Sequence, residues 1–360
     1  MNEAPVSARL TRVLVTDDSA FMRTALTRMI ESDPDLRVSD TAQSGVEALE
    51  KISATQPDVV TLDVEMPGLD GLETLRRIMK DSPRPVIMVS SLTQEGAETT
   101  LEALDIGAFD YVPKQLSYVS LDIIKIRDDL IAKIKAAAET GRRIHKKPAM
   151  PFAGSTISAS STYNTAPQIV AIGTSTGGPK ALQEILPRFP ADFPVPIVIV
   201  QHMPPGFTGP FARRLNNLCN VVVREATHDE PVSAGCVYIA PAGRQMTVSR
   251  AASAIAKIEL SDGPGNALHK PSVDLMMCSV ADVFRDRCMG VIMTGMGADG
   301  LVGMRAIASA GGFTVGQEES TCVVYGMPRC CAEAGLLRRV APLTDLPAVV
   351  MQATRYRKHV

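Results

Sequence analysis

The chain has 360 residues, with 37 Lys and Arg against 39 Asp and Glu and a formal net charge of −2 at pH 7. At about 100–200 residues per domain this is room for two domains, or three. The charge balance excludes a strongly basic nucleic-acid binder driven by counterion release, and 4% aromatic residues with no Trp exclude a base-stacking platform. At 45% hydrophobic and 21% charged the chain is expected to bury real cores. No apolar run approaches the roughly 20 residues of a membrane helix, and residues 1–11 carry no hydrophobic signal segment, so a cytoplasmic protein without membrane insertion is expected. The seven cysteines are odd in number and form no C-x-x-C pair, so reduced thiols are expected rather than disulfides or a zinc ribbon.

Residues 12–16, 59–63, 86–90 and 109–112 read as strands, with a weaker one at 37–41. Amphipathic stretches at 21–31, 45–53, 71–80, 99–105 and 123–138 lie between or after them. Five β-then-α units at this spacing predict an open parallel sheet with helices on both faces. Right-handed crossovers bring all strand carboxyl ends to one edge, where ligands collect. From 140 to 166 there is no acidic residue, residues 141–147 are basic, and 151–166 hold seven Ser or Thr. This composition predicts a flexible linker.

A second α/β pattern starts at 169. Strands are expected at 169–173, 197–200, 221–225, 237–240, 246–249, 255–260, 290–294 and 313–317, and helices from 178, at 208–218, 272–284 and 299–310. The four strand-like runs between 221 and 260 alternate tightly without long helices, which predicts a β-hairpin on an otherwise mostly parallel, doubly wound sheet.

In the first half Asp17 and Asp18 end the first strand, Asp63 ends the third, Ser90 ends the fourth, and Lys114 follows the fifth. Converging carboxylates form a hard-oxygen site suited to Mg²⁺. Asp63 is then the nucleophile for a phosphoryl group, with the Ser90 hydroxyl and Lys114 ammonium on the phosphoryl oxygens. With TDDS at 16–19, LDVEMPGLDG at 62–71 and VSS at 89–91, residues 11–130 resemble a response-regulator receiver domain. The resemblance implies that Asp63 is the phosphoacceptor. It also implies that Asp17, Asp18 and Asp63 lie at the metal, helped by the Glu65 carbonyl. The sequence departs from the family at Gln115, where Pro is usual after the Lys.

In the second half, Gly173–Gly178 (GTSTGG) joins a buried strand to a helix and contains G-x-S-x-G, which exposes Ser175 on a sharp turn. Taken alone, the turn could equally cradle a phosphate or be a plain turn. Of five histidines, His202 directly follows the strand at 197–201 and belongs on the same edge as Ser175, which makes it the best base. His269 lies in a Gly/Asn/Pro-rich loop and is a candidate substrate contact. Asp299, in TGMGADG at 294–300, is the carboxylate to orient the imidazole, or else the N-cap of the helix that follows it.

AIGTSTGGP at 171–179, QHMPPGFT at 201–208, YIAP at 238–241, HKPSVD at 269–274, TGMGADG and VVYGMPR at 323–329 together resemble the chemotaxis protein-glutamate methylesterase (CheB) family. The resemblance implies a receiver domain at 11–130, a linker at 131–166 and a methylesterase domain at 167–355. It implies a Ser175–His202–Asp299 triad without a cofactor, with Thr176 and Met296 lining the site and the Met296 N–H as oxyanion donor. The implied substrates are methyl-accepting chemotaxis receptors, which the enzyme demethylates and also deamidates at glutamine. The implied phosphodonor is a chemotaxis histidine kinase, and the unphosphorylated receiver is expected to cover the catalytic edge. Thr174 and Gln245 depart from the family, which usually has a small residue and a His there. A receiver with a non-enzymatic binding output is the alternative, against which stands the lack of a basic stripe or helix-turn-helix pattern.

Overall fold

The computed structural model describes residues 9–114, 122–145, 165–250, 255–264 and 267–356. The chain divides into two compact units, Met1–Pro151 and Phe152–Val360. Gln115, His359 and residues 146–164 of the expected linker lie outside the described residues. Among the described residues no helix is long and apolar enough to cross a membrane.

The first unit runs β1 (Thr11–Thr16), α1 (Ala20–Glu31), β2 (Leu36–Ala42), α2 (Gly45–Thr55), β3 (Val59–Asp63), α3 (Gly71–Asp81), β4 (Val86–Ser90), α4 (Gln94–Ile106), β5 (Asp110–Pro113) and α5 (Asp122–His145). Its sheet is parallel in the order β2-β1-β3-β4-β5. Strands β3 and β4 are buried along their whole length, as helices on both faces require. Short polar side chains start the helices: Ser19, Ser44, Asp70 and Thr93 each accept a backbone N–H from the first turn of α1, α2, α3 and α4. The Thr93 cap starts α4 well before residue 99, where its apolar pattern begins.

The second unit runs β6 (Ile169–Thr174), α6 (Gly178–Ile185), β7 (Ile197–Gln201), α7 (Thr208–Leu218), β8 (Val222–Glu225), β9 (Cys236–Ile239), β10 (Gln245–Arg250), β11 (Ala256–Ser261), α8 (Val273–Phe284), β12 (Cys288–Ile292), α9 (Leu301–Ser309), β13 (Phe313–Gln317), α10 (Met327–Glu333), β14 (Arg339–Ala341) and α11 (Leu346–Ala353). The main sheet has seven strands in the order β14-β13-β12-β6-β7-β9-β8, and every pairing is parallel. The chain starts at the centre with β6, builds outward through β7, and returns through β12 on the other side. That reversal makes the carboxyl ends of β12, β6 and β7 the crevice of a doubly wound sheet.

The expected hairpin is present as the antiparallel pair β10–β11, which forms its own two-stranded sheet. Met246, Val248 and Ile258 fix it there by burying one face in a core shared with Val273, Met276, Met277 and Val280 of α8. One expectation is corrected: the linker expected to open at 131 begins inside α5, which runs to His145. Leu130, Ile134, Ala137 and Ala138 are buried in one core with Val13, Val15, Leu26, Ile30 and Val59, so apolar burial carries the helix past the point where composition turns polar.

Ile134 is fully buried. Ile134→Ala should cost the first unit about 2–5 kcal/mol, read as a lower denaturation midpoint. An unchanged midpoint would mean that the helix beyond 130 does not belong to the folded unit.

Candidate functional site

The carboxyl edge of the first sheet holds the acidic cluster. Oxygens of Asp17, Asp18 and Asp63 lie within 4.8 Å of one another, and Asp17 and Asp63 are buried. Backbone amides aim them: Ser19 N donates to Asp17 Oδ1 (2.9 Å) and Glu65 N to Asp63 Oδ1 (3.1 Å). Arg23 ties the loop down by donating to the Asp17 and Asp18 carbonyls. Lys114 Nζ sits 2.6 Å from Asp63 Oδ2 and 3.1 Å from Asp17 Oδ2. Burial pushes the Asp63 carboxyl up to about 6, with the Lys114 contact opposing and the Asp17 charge adding to the rise. The carboxylate donor set fits a small hard cation such as Mg²⁺. Ser90 is not joined to this cluster: its hydroxyl is directed at the Gly96 carbonyl (3.2 Å) and accepts from Thr100 Oγ1 (2.7 Å).

In the second unit the register of β6 against β7 pairs Thr174 with Gln201, so Ser175 and His202 leave neighbouring strands at the same level. The His202 N–H donates to the Thr174 carbonyl (3.1 Å). Buried Gln201 braces both sides of the crevice, its Nε2 donating to the Ser175 carbonyl (3.0 Å) and the His202 carbonyl (2.9 Å). The turn beyond Ser175 passes through Gly177 at φ +76°, where a side chain would also strike Val323. The Thr174 hydroxyl donates to the Thr294 carbonyl (2.8 Å), which gives this departure from the family a tie between β6 and the loop after β12.

That loop carries Asp299. His202 Nε2 lies 2.8 Å from Asp299 Oδ2, with both side chains largely buried. Asp299 also accepts from Ser272 Oγ (3.0 Å), Val273 N (2.8 Å) and Asp274 N (3.0 Å). Burial alone would raise its carboxyl. The hydrogen bond and charge of His202, with the Asp274 and Val273 amides, outweigh that and hold it well below the usual carboxylate range. Asp299 is therefore not the cap of its own helix. It faces the first turn of α8, while Asp274 of α8 accepts Gly300 N and Gly303 N (both 2.8 Å) at the start of α9. The two helices exchange carboxylates across the crevice.

Thr176 follows Ser175 in the turn, and Met296 follows Gly295, which packs against Ser175. Gly295 comes so close that a side chain there would lie 2.9 Å from Ser175 Cβ, and Gly295 is held by Val324, Gly326 and Met327 of the 323–329 segment. The backbone N–H groups of Thr176 and Met296 have no hydrogen-bond partner among the described residues. No hydrogen bond joins the Ser175 hydroxyl to His202 here. Contacts of this kind commonly tighten only with substrate bound.

No individual signal in the sequence marks Gln201, Ser272 or Asp274 as supports of the site. Their roles arise from register and from contacts made 25 or more residues away. His269, a candidate substrate contact, stacks its ring on that of His202, with centroids 4.2 Å apart and planes 13° from parallel.

Two family models match the chain: CheB methylesterase over residues 170–350 and response regulator receiver domain over residues 13–123. A protein-glutamate methylesterase/protein-glutamine glutaminase of Oleidesulfovibrio alaskensis is 47% identical over 365 residues, covering 95% of this chain and 99% of the relative. One of Pyrococcus abyssi, with the same name, is 44% identical, covering 97% and 95%. The crystal structure of the Thermotoga maritima CheB methylesterase catalytic domain matches with a TM-score of 0.51 at 37% identity, covering 52% of this chain and 99% of that one. By sequence over nearly its full length, and with a parallel receiver sheet ahead of a doubly wound esterase sheet, the chain belongs to the CheB methylesterase family.

Proposed function

We propose that the second unit hydrolyses glutamate methyl esters on methyl-accepting chemotaxis receptors, releasing methanol, and that phosphorylation of Asp63 raises its rate. The 2.8 Å pair between His202 and Asp299, with Ser175 beside His202 on the next strand, carries the reading. With Asp299 ionised, His202 keeps its proton on Nε2 and offers the Nδ1 lone pair to Ser175. Ser175 Oγ loses its proton to Nδ1 and attacks the γ-carbonyl carbon of the ester. The N–H groups of Thr176 and Met296 receive the oxyanion, a contribution of about 3–4 kcal/mol per donor. The imidazolium returns its proton to the departing methoxide, and methanol leaves an acyl-Ser175. Water, deprotonated by His202, then frees glutamate and restores the serine. A glutamine γ-amide follows the same course with ammonia leaving, in keeping with the double name of the relatives. Every step is acid–base and nucleophilic chemistry of the chain's own groups.

In the receiver, Asp17, Asp18 and Asp63 would hold Mg²⁺, which when bound offsets the negative charge between carboxylate and phosphoryl group. Asp63 attacks the phosphorus of a phosphohistidine on a chemotaxis histidine kinase, and the P–N bond breaks. Lys114 moves its ion pair to the phosphoryl oxygens, and the Ser90 hydroxyl turns from Gly96 to the same group. These two side chains convert a local charge into a rearrangement of the receiver. The protein acts in the cytoplasm on the cytoplasmic segments of its receptors.

Methanol release from methylated receptor membranes tests the reading. A small acyl phosphate should raise the wild-type rate and leave Asp63→Asn unmoved. Ser175→Ala should lose several orders of magnitude in rate. Near-wild-type hydrolysis by Ser175→Ala would overturn the triad, and activation of Asp63→Asn would overturn the phosphoacceptor.

The Asp299 environment makes a separate prediction for stability. A carboxylate held below its unfolded value of about 3.9 adds stability that is complete above that value and is lost as the pH falls through the folded value. Denaturant titrations of the full chain between about pH 5 and 2 should show wild type losing stability more steeply than Asp299→Asn. Equal slopes would contradict the depressed carboxyl.

A further inference from the structure

Gln245 opens β10 and is buried, 1% exposed, outside the contacts of the triad itself. Both ends of its amide are used. Nε2 donates to the His269 carbonyl (2.7 Å), and Oε1 accepts from Ser272 N (2.8 Å). Gly243 N adds a bond to the Lys270 carbonyl (3.1 Å). Gly263 closes over the side chain, with room for no Cβ: one there would lie 2.3 Å from Gln245 Cγ. The start of β10 thus pins residues 269–272 at three points.

That short segment sends two side chains to the catalytic pair. His269 covers one face of the His202 ring, and Ser272 donates to Asp299. His202 is held at its edge by Asp299, which fixes one nitrogen but leaves the ring free to swing about that contact. A flat ring stacked at 4.2 Å removes that freedom. The donor to Asp299 and the stack on His202 share one short backbone segment, and Gln245 sets where that segment lies.

We propose that Gln245 is a positioning residue for the esterase reaction: through its two amide bonds to the 269–272 segment it fixes the His269 ring against His202 and the Ser272 hydroxyl against Asp299. The inference rests on the hydrolase reading above. A polar amide is needed because the Ser272 amide is buried where it meets Gln245, and an unpaired group there is costly, while the bond to the His269 carbonyl is partly buried. An apolar side chain of the same length would leave both unsatisfied and let the segment drift. A displacement of about 1 Å at a catalytic group costs on the order of 100-fold in rate.

The test is methanol release by the full chain with Gln245→Met, alone and combined with His269→Ala and Ser272→Ala. Gln245→Met should lower kcat about 10- to 100-fold with KM nearly unchanged, while the unfolding midpoint shows the chain still folded. Where His269→Ala and Ser272→Ala are already present, adding Gln245→Met should cost less than about 3-fold, because the groups it positions are gone. Full multiplication of the losses, or wild-type kcat in Gln245→Met, would overturn the proposal. Should Gln245→Met not fold, Gln245→Glu keeps an acceptor for Ser272 N and replaces the donor to the His269 carbonyl with a carboxylate oxygen. It should show the same kcat loss and the same coupling, and their absence would overturn the proposal. A Ser175→Ala control separates the two readings. If Ser175→Ala is as active as wild type, the hydrolase reading fails. If it is inactive while Gln245→Met is normal, only the role of Gln245 fails.

Discussion

One buried carboxylate organises the catalytic unit. Asp299 is surrounded by four donors: an imidazole, a hydroxyl and two amides at the start of α8. A charge taken out of water is costly unless it is hydrogen-bonded and paired, and a helix N-terminus is where backbone amides favour an anion. The same four contacts that make the charge tolerable also fix its position. Asp274 makes the reciprocal contact to the first turn of α9, so the two helices and the loop after β12 hold one another. His202 is oriented by a group that cannot easily move.

The sheet supplies the rest of the constraint. Ser175, His202 and Asp299 follow β6, β7 and β12, three strands that are adjacent in the sheet though spread over 124 residues of sequence. The chain reverses its direction of growth at β6, and the crevice opens there. The receiver obeys the same rule, with Asp17 and Asp18 after β1 and Asp63 ending β3, its neighbour across the switch of order. Two sheets of one architecture carry unlike chemistry because the residues at their strand ends differ.

Much of this was legible in the sequence. Strands buried on both faces read as continuous apolar runs, and a polar side chain at the carboxyl end of such a run stands out, as His202 after β7 and Asp63 at the end of β3 do. What was not legible had physical reasons. Helix α4 starts at a Thr93 cap with a polar, Gly-containing first turn, so its apolar pattern begins late. β14 is a three-residue edge strand with two exposed positions, and α10 has only seven residues. α5 extends beyond the expected domain end because Ile134, Ala137 and Ala138 still face the core while their neighbours turn polar. Gln201, Ser272 and Asp274 carry no chemistry that marks them in sequence, and Gln245 stands out there only as a departure from the family. Each matters through a partner brought close only by folding.

The central claim is that Ser175 is the nucleophile and that His202 activates it. A fluorophosphonate probe reacts with a serine oxygen only where a base withdraws its proton, and intact-protein mass with peptide mapping locates the adduct. The account predicts one phosphonyl group per chain, on Ser175, with methanol release lost in proportion to labelling and labelling itself lost in His202→Ala. Labelling of a different residue, or a Ser175 that stays unlabelled while hydrolysis continues, would contradict it.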